Sequence, residues 1–113
     1  MSDRFEDHRG VIQDVFGRID SVTRITTVKG AVRGNHVHRE TTQWTLVLNG
    51  CLLMATGNTK AEMWPGEVVK HEPGDPHAWK ALEDTECLVF TKGPRSGDQY
   101  ESDTFRLEEP LLS

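Results

Sequence analysis

Three closely spaced histidines are the residues of this chain best suited to chemistry. His36 and His38 lie within the run 33–38, and His77 follows about forty residues later. Side chains at positions i and i+2 of a β-strand point to the same face, so a strand here would direct His36 and His38 into one cavity. Imidazole nitrogens are common ligands of divalent transition metals. The spacing therefore predicts a site for zinc, iron, manganese or nickel.

Gln43 follows His38 by five residues and is a fourth candidate ligand through its amide oxygen. Because Gln43 is neutral, the ion would keep its full +2 charge and polarise a substrate carbonyl more strongly than an ion bound by a carboxylate. Without a metal, His36 could instead act as a general base, since an imidazole titrates near neutral pH. These roles exclude each other, and the presence of His38 and His77 favours the ligand role.

Three further residues are candidates for substrate contact or catalysis. Arg33 could hold a phosphate or carboxylate through two hydrogen bonds, or simply pair with a surface acid. Trp79, two residues after His77, would share its strand face and could stack on a sugar or base ring, or serve as a core aromatic. Tyr100, the only tyrosine, is a candidate catalytic acid in a polar tail. His8 and His71 are expected at the surface, His71 near the cavity rim.

Short apolar runs separated by turn residues predict an all-β protein, either a sandwich or a barrel. No segment of ten or more residues shows clean helical periodicity. The predicted strands are Val11–Phe16, Val22–Val28, Ala31–His38, Trp44–Leu48, Cys51–Ala55, Glu67–His71, Ala78–Glu83 and Cys87–Thr91.

Local patterns also predict a turn and two buried faces. Asn49-Gly50 is a favoured hairpin turn and predicts that the flanking strands pair with each other. Alternation of apolar residues predicts that one face of each of two strands packs on the core. These inward residues are expected to be Trp44, Leu46 and Leu48 in one strand, and Leu88 and Phe90 in the other.

Length and charge limit the function further. The 113 residues suffice for one domain, residues 1–113, in which 94–113 form a tail that packs on the barrel or on a second subunit. With 13 basic and 18 acidic residues, a net charge of −5 and no basic cluster, nucleic-acid binding is not expected. No apolar run is long enough to span a bilayer, and the first residues contain no apolar signal core, which predicts a cytoplasmic protein. Cys51 and Cys87 are expected to be buried free thiols.

The histidine pattern resembles the cupin family. Residues 34–50 are similar to the first cupin motif, with glutamine where most cupins have glutamate. Residues 66–77 are similar to the second, with glutamate at its usual proline and Ala81 at its closing asparagine. The matching positions are Gly34, His36, His38, Gln43 and Gly50, then Gly66, Glu72, Gly74 and His77. The resemblance implies a cupin (RmlC-like) jelly roll, also called a double-stranded β-helix barrel, with one cavity and commonly a homodimer.

A narrower resemblance points to cupins that act on sugar nucleotides. Residues 7–10 and 33–36 are similar to segments of the dTDP-4-dehydrorhamnose 3,5-epimerases, the dTDP-4-keto-6-deoxyglucose 3,4-ketoisomerases and the cupin domain of capsular-polysaccharide reductases. The histidine at the position of His36 is associated with proton abstraction in the first two groups and binds zinc in the third. The rhamnose epimerases lack a counterpart of His38, and the ketoisomerases generally lack one of His77. This chain has both, as the metal-binding members do.

Three functions remain open on the sequence. The first is a metal-dependent isomerase or epimerase that acts on a carbonyl-bearing sugar or sugar nucleotide. The second is a non-haem iron or manganese dioxygenase or lyase, since three histidines and one oxygen ligand suit those metals too. The third is a non-catalytic module that binds a sugar or small acid. A homodimer is expected to form through the strand Val11–Phe16.

Overall fold

The computed structural model describes residues 4–14, 17–94 and 103–113, and its secondary structure over these ranges consists of β-strands. The strands are β1 Arg4–Asp7, β2 Gly10–Gln13, β3 Ser21–Thr27, β4 Val32–Val37, β5 Thr42–Asn49, β6 Leu52–Thr56, β7 Thr59–Met63, β8 Val68–His71, β9 His77–Ala81, β10 Thr85–Lys92 and β11 Phe105–Arg106. Each of the eight predicted strands overlaps one of these. Prediction missed β1, β7 and β11, because they are charged, polar or very short.

Two antiparallel sheets face each other and enclose the core. One has the strand order β3-β10-β5-β8, and the other has the order β11-β4-β9-β6-β7. Buried side chains from both sheets form the main core cluster, including Val47, Leu52, Met54, Trp79 and Val89. Successive strands repeatedly cross between the sheets, which is the arrangement of a jelly roll. The predicted all-β jelly roll barrel is therefore confirmed.

The predicted hairpin at Asn49-Gly50 is wrong. The turn follows β5, which pairs with β10 and β8, whereas β6 pairs with β7 and β9 in the opposite sheet. Gly50 has a φ of +89° and lies so close to Thr85 that a Cβ atom would not fit. Asn49-Gly50 thus forms a tight turn, but this turn carries the chain from one sheet to the other. Local sequence does not determine that change of sheet.

The predicted inward faces of two strands are also wrong by one residue. The buried residues of β5 are Gln43, Thr45 and Val47, and those of β10 include Cys87 and Val89. The predicted residues lie on the outer faces, where Trp44 is paired with Phe90 and Leu46 with Leu88. Both faces carry apolar side chains, but the outer face of β5 carries more of them, because its inner face includes Gln43 and Thr45. Alternation therefore pointed to the wrong face.

Among the described residues, strands β1 and β2 pair only with each other and form a separate two-stranded hairpin. Cys51 and Cys87 are buried free thiols, as predicted, and burial, aided by Glu86, raises the pKa of Cys87 to about 11. Over the described ranges, no helix is long and apolar enough to cross a membrane.

Candidate metal centre

Strands β4 and β9 bring His36 directly opposite His77. The pairing register shifts between Gly34 and His36, and Asn35 adopts a positive φ of 57° at this irregularity. Asparagine tolerates this left-handed conformation better than most residues. The Nε2 atoms of His36 and His77 lie 3.0 Å apart. The bulge thus sets two imidazoles with their nitrogens facing each other.

His38 completes the cluster from the end of β4. Its side chain is buried, and its ring centroid lies 4.5 Å from that of His36 and 5.2 Å from that of His77. One potential ligand atom from each of the three residues falls within 4.8 Å of the others. Histidine nitrogens bind a transition metal at about 2.1 Å. Side-chain movements of less than about 1 Å would bring the three ligand atoms close enough to bind one ion.

Backbone carbonyls determine which ring nitrogens carry hydrogen. The Nδ1 of His38 lies 2.7 Å from the carbonyl oxygen of Asp103, and the Nδ1 of His77 lies 3.3 Å from that of Asp75. A carbonyl can only accept, so each Nδ1 must be the donor. In a neutral ring this leaves Nε2 with its lone pair. Such second contacts are the usual support of metal-binding histidines.

The protonation of His77 is also suited to metal binding. Burial, together with the neighbouring His71 and His36, lowers the pKa of His77 to about 2. His77 is therefore neutral at physiological pH. A metal ligand must offer an unprotonated nitrogen, and the neutral ring of His77 meets this requirement. The donor set is the one expected for a first-row transition metal.

The opposite sheet contributes Gln43 and a fourth histidine, His71. These two residues are cross-strand neighbours on β5 and β8. Gln43 is buried and lines the same cavity as His36 and His77. The predicted surface position of His71 is wrong, because its side chain is only 2% exposed and its ring stacks on His77 at a centroid distance of 4.2 Å.

The ring nitrogens of His71 are unusual for buried polar atoms. Within the described part of the chain, neither Nδ1 nor Nε2 has a hydrogen-bond partner. Burial lowers the pKa of His71 to about 4; Asp75 opposes this shift and His38 adds to it. A single sequence gives little indication that such a histidine is buried. The only cue is that His71 lies two residues after Val69 and shares its strand face.

The cavity beside the histidines has a volume of about 250 Å³ and lies between the two sheets. Arg33 and Trp79 both line it, and they are cross-strand neighbours on β4 and β9. Trp79 is buried and also belongs to the core cluster, so its role as a core aromatic is confirmed, while stacking on a substrate ring stays a prediction. Its indole Nε1 has no hydrogen-bond partner within the described ranges.

Arg33 is the arginine that the structure places at the cavity. Its Nε donates to the hydroxyl of Thr27 at 2.9 Å, and one terminal nitrogen donates to the carbonyl of Thr26 at 2.9 Å. These bonds orient the guanidinium at the mouth. Arg9 pairs instead with Asp7 in the hairpin turn, and Arg24 pairs with Glu86 on the outer sheet face.

Of two residues in the tail, the structure describes Asp103 but not Tyr100. Tyr100, the predicted catalytic acid, lies outside the described residues, so its role stays a prediction. Asp103 was not predicted at all, yet its carbonyl contacts His38 and its carboxylate accepts hydrogen bonds from two backbone amides. Burial opposes ionisation of Asp103, but hydrogen bonds from the amides of Glu40 and Arg39 and from the side chain of Thr41, together with the nearby His38, lower the pKa of the carboxyl.

A jelly roll barrel with a histidine cluster at an internal cavity defines the class of protein. A scan against known families matches residues 23–91 to the Cupin domain, which is more than half of the chain. The chain therefore belongs to the cupin family, as the sequence motifs predict. A comparison with proteins of curated function gives no match.

Solved structures with the same fold include sugar-nucleotide enzymes. A dTDP-4-dehydrorhamnose 3,5-epimerase from Sulfolobus tokodaii is 23% identical with a TM-score of 0.66, over 83% of this chain and 68% of that chain. The 3,4-ketoisomerase QdtA from Thermoanaerobacterium thermosaccharolyticum is 20% identical with a TM-score of 0.63, over 93% of this chain and 83% of that chain.

A larger protein also contains the fold. The capsular polysaccharide assembling protein CapF from Staphylococcus aureus is 20% identical with a TM-score of 0.67, over 96% of this chain but only 32% of CapF. This chain thus spans about a third of the length of CapF. At these identities, the likenesses show a shared fold.

Proposed function

We propose that this cupin binds one divalent transition metal through His36, His38 and His77, with the amide oxygen of Gln43 as a further ligand. The observation that carries the proposal is the convergence of the three histidines, of which His36 and His77 line the cavity, with ligand atoms within 4.8 Å of one another. The metal is zinc, iron, manganese or nickel, because imidazole nitrogens and one amide oxygen suit all four ions.

We further propose that the protein is an isomerase or epimerase that acts on a carbonyl-bearing sugar. When bound, a divalent cation supplies Lewis-acid polarisation of a carbonyl. The epimerase and ketoisomerase among the solved structures support this reaction class. His36 serves as a ligand rather than as the base, since its Nε2 lies 3.0 Å from the Nε2 of His77, another proposed ligand. The proton then requires another carrier, for which Tyr100 remains the candidate.

Arg33 and Trp79 are proposed to hold the substrate. The guanidinium of Arg33, oriented at the mouth by Thr26 and Thr27, would bind a carboxylate or phosphate. The indole of Trp79 forms part of the cavity wall beside His77 and would contact the face of the sugar ring.

The size and charge of the cavity favour a small substrate. A volume of about 250 Å³ is below that of most sites for drug-sized ligands and suits one sugar unit, so a nucleotide would have to lie outside the mouth. Among the described residues that line the cavity, Arg33 is the one cation. A sugar or sugar acid therefore fits better than a complete sugar nucleotide.

A homodimer is also proposed, formed through the N-terminal hairpin. Phe5 and Ile12 are opposite each other on β1 and β2, and they are 58% and 69% exposed. A two-stranded hairpin is only marginally stable alone and needs an apolar surface to cover it. The outer face of the four-stranded sheet offers such a surface through Val22, Trp44 and Phe90, so two copies could cover each other symmetrically.

Metal analysis is the first test. Protein purified without chelator or added metal is expected to contain about one transition metal ion per chain, and His38→Ala should contain almost none. His8→Ala, which removes an exposed histidine in the hairpin turn, is the matched control and should keep the metal. If the wild type holds no metal even after reconstitution, the metal centre is wrong.

Proton exchange tests the reaction class. An isomerase or epimerase incubated in D₂O with keto sugars, keto sugar acids and dTDP-4-keto-6-deoxyglucose should place deuterium at the carbon next to the carbonyl of one of them, detected by mass spectrometry. His38→Ala should lose this exchange. Oxygen consumption with iron would indicate a dioxygenase instead, and tight binding without turnover or metal dependence would indicate a binding module.

A further inference from the structure

The last described segment, residues 103–113, reaches the histidine cluster through Asp103. This residue is buried, and its carbonyl accepts the Nδ1 hydrogen of His38 at 2.7 Å. Its carboxylate accepts hydrogen bonds from the amides of Arg39 at 3.0 Å and Glu40 at 2.8 Å. Asp103 therefore both caps the turn after β4 and fixes the ring of a proposed ligand.

The same segment extends the sheet that carries His36. Strand β11 pairs with β4, so that Arg106 is opposite His36 and Phe105 is opposite Val37. The guanidinium carbon of Arg39 lies 4.1 Å from the centre of the Phe105 ring, which adds a cation–π contact. This second attachment again joins the segment to the stretch between His36 and Glu40.

A third attachment lies at Asn35. Its side-chain oxygen accepts hydrogen bonds from the amides of Leu111 at 2.7 Å and Leu112 at 3.2 Å, and its side-chain nitrogen donates to the carbonyl of Leu112 at 3.0 Å. Its backbone carbonyl accepts the amide of Leu107 at 2.9 Å. Leu112 is buried against Ala55 and Ala78. Apart from the apolar contacts of Leu112, all three attachments thus join the segment to residues 35–40.

We propose that residues 103–113 are a positioning element of the metal centre, so that metal occupancy and docking of this segment are coupled. The inference rests on the proposed function, because it assumes that His38 is a metal ligand. Asp103 acts through His38 as a positioning residue. Its carbonyl holds the hydrogen on Nδ1, and Nε2 is then left with the lone pair that a cation needs.

Coupling of this kind is reciprocal. If docking of the segment raises the affinity for a metal by some factor, the metal must favour docking by the same factor. The segment is therefore expected to be more tightly docked when the site is loaded. The amides of Leu107, Leu111 and Leu112 report this directly, since each donates to Asn35.

The test uses the full chain with Co²⁺ as the probe. Asp103→Ala keeps the backbone carbonyl but removes the carboxylate that docks it onto the amides of Arg39 and Glu40. The variant should therefore weaken Co²⁺ binding, followed by visible absorption, about 10- to 100-fold. Asp103→Asn keeps one acceptor and should fall between this variant and the wild type. Saturating Co²⁺ should slow hydrogen exchange of Leu107, Leu111 and Leu112 in the wild type by a factor similar to the affinity loss.

The matched control is Asp7→Ala. Asp7 also accepts a backbone amide hydrogen bond, from Arg9 at 2.8 Å, but it lies in the separate hairpin. This variant should bind Co²⁺ as the wild type does. If Asp103→Ala does not fold, the exchange measurement on the wild type decides the matter by itself.

Two results would overturn the inference in different ways. If the wild type binds Co²⁺ but the metal leaves exchange of the segment unchanged, the coupling is wrong and the metal centre stands. If the wild type binds no Co²⁺ at all, the metal centre itself fails and the coupling fails with it.

Discussion

At the scale of single residues, the candidate centre is built from imidazoles that neighbouring groups hold in place. The carbonyls of Asp103 and Asp75 accept the Nδ1 hydrogens of His38 and His77, and burial keeps His77 unprotonated. The rings are therefore prepared to offer Nε2 atoms to a cation. His71 differs, because it is buried beside this cluster without a hydrogen-bond partner in the described part of the chain.

The burial of His71 predicts a pH-dependent stability of the metal-free protein. The pKa of His71 is about 4 in the folded chain and 6.5 in an unperturbed histidine, so between these values the unfolded chain binds more protons. The free energy of unfolding should therefore be greatest above pH 6.5 and fall as the pH falls toward 4. His77, whose pKa is lowered further, should contribute in the same direction.

Urea unfolding of chelated protein between pH 4 and 7.5 measures this effect. His71→Leu should make the fall shallower by up to about 1.4 kcal/mol per pH unit. It should also raise stability at low pH, since it removes a buried polar group that lacks partners. His8→Leu, which changes an exposed turn histidine, should keep the slope of the wild type. An equal slope in all three proteins would contradict the prediction.

At the scale of elements, the pairing of β4 with β9 depends on Gly34. A Cβ atom at Gly34 would lie 2.9 Å from the carbonyl oxygen of His77 and 3.0 Å from the Cα of Ala78. Gly34 also has a φ of +89°, a conformation that other residues rarely adopt. The close approach of the two strands, and hence of His36 to His77, requires glycine for both reasons.

Gly34→Ala should therefore destabilise the protein by about 2–4 kcal/mol, as backbone strain and overpacking add. Gly30 also has a φ of +89°, but a Cβ atom there would meet nothing within 4 Å, so Gly30→Ala should cost only the strain, about 1–2 kcal/mol. The free energy of unfolding in urea measures both. Equal losses in the two variants would mean that the contact with β9 is not tight.

At the scale of the whole molecule, the unpaired hairpin and the apolar outer sheet face predict a homodimer. Ile12 is 69% exposed on β2, and a charge there should prevent its burial against a second copy. Ile12→Asp should therefore shift the protein from dimer to monomer, with the molar mass measured by light scattering during size-exclusion chromatography.

The control for this prediction is Val28→Asp. Val28 is equally exposed, at 69%, but it follows β3 and lies outside the hairpin. This variant should remain a dimer. A monomeric wild type, or the same loss of dimer in both variants, would show that the hairpin is not the subunit contact.

The sequence alone determined the family, the fold class and the histidine cluster of this protein. Histidine spacing and turn residues can be read from neighbouring positions in the chain. Because residues two apart in a strand share one face, the spacing of His36 and His38 predicts that they lie side by side. Eight of the strands were predicted for the same reason, because short runs rich in β-branched and aromatic residues between turn residues favour strands.

Only the tertiary structure decided which faces point inward and which distant residues support the cluster. Alternation in β5 did not reveal that Gln43, rather than Trp44, lies inside, since both faces carry apolar residues. Asn49-Gly50 could not show that the chain changes sheets. His71 and Asp103 reach the cluster through strand pairing and docking of the last segment. Such contacts join residues far apart in sequence, so their partners are set by the packed barrel and not by any local pattern.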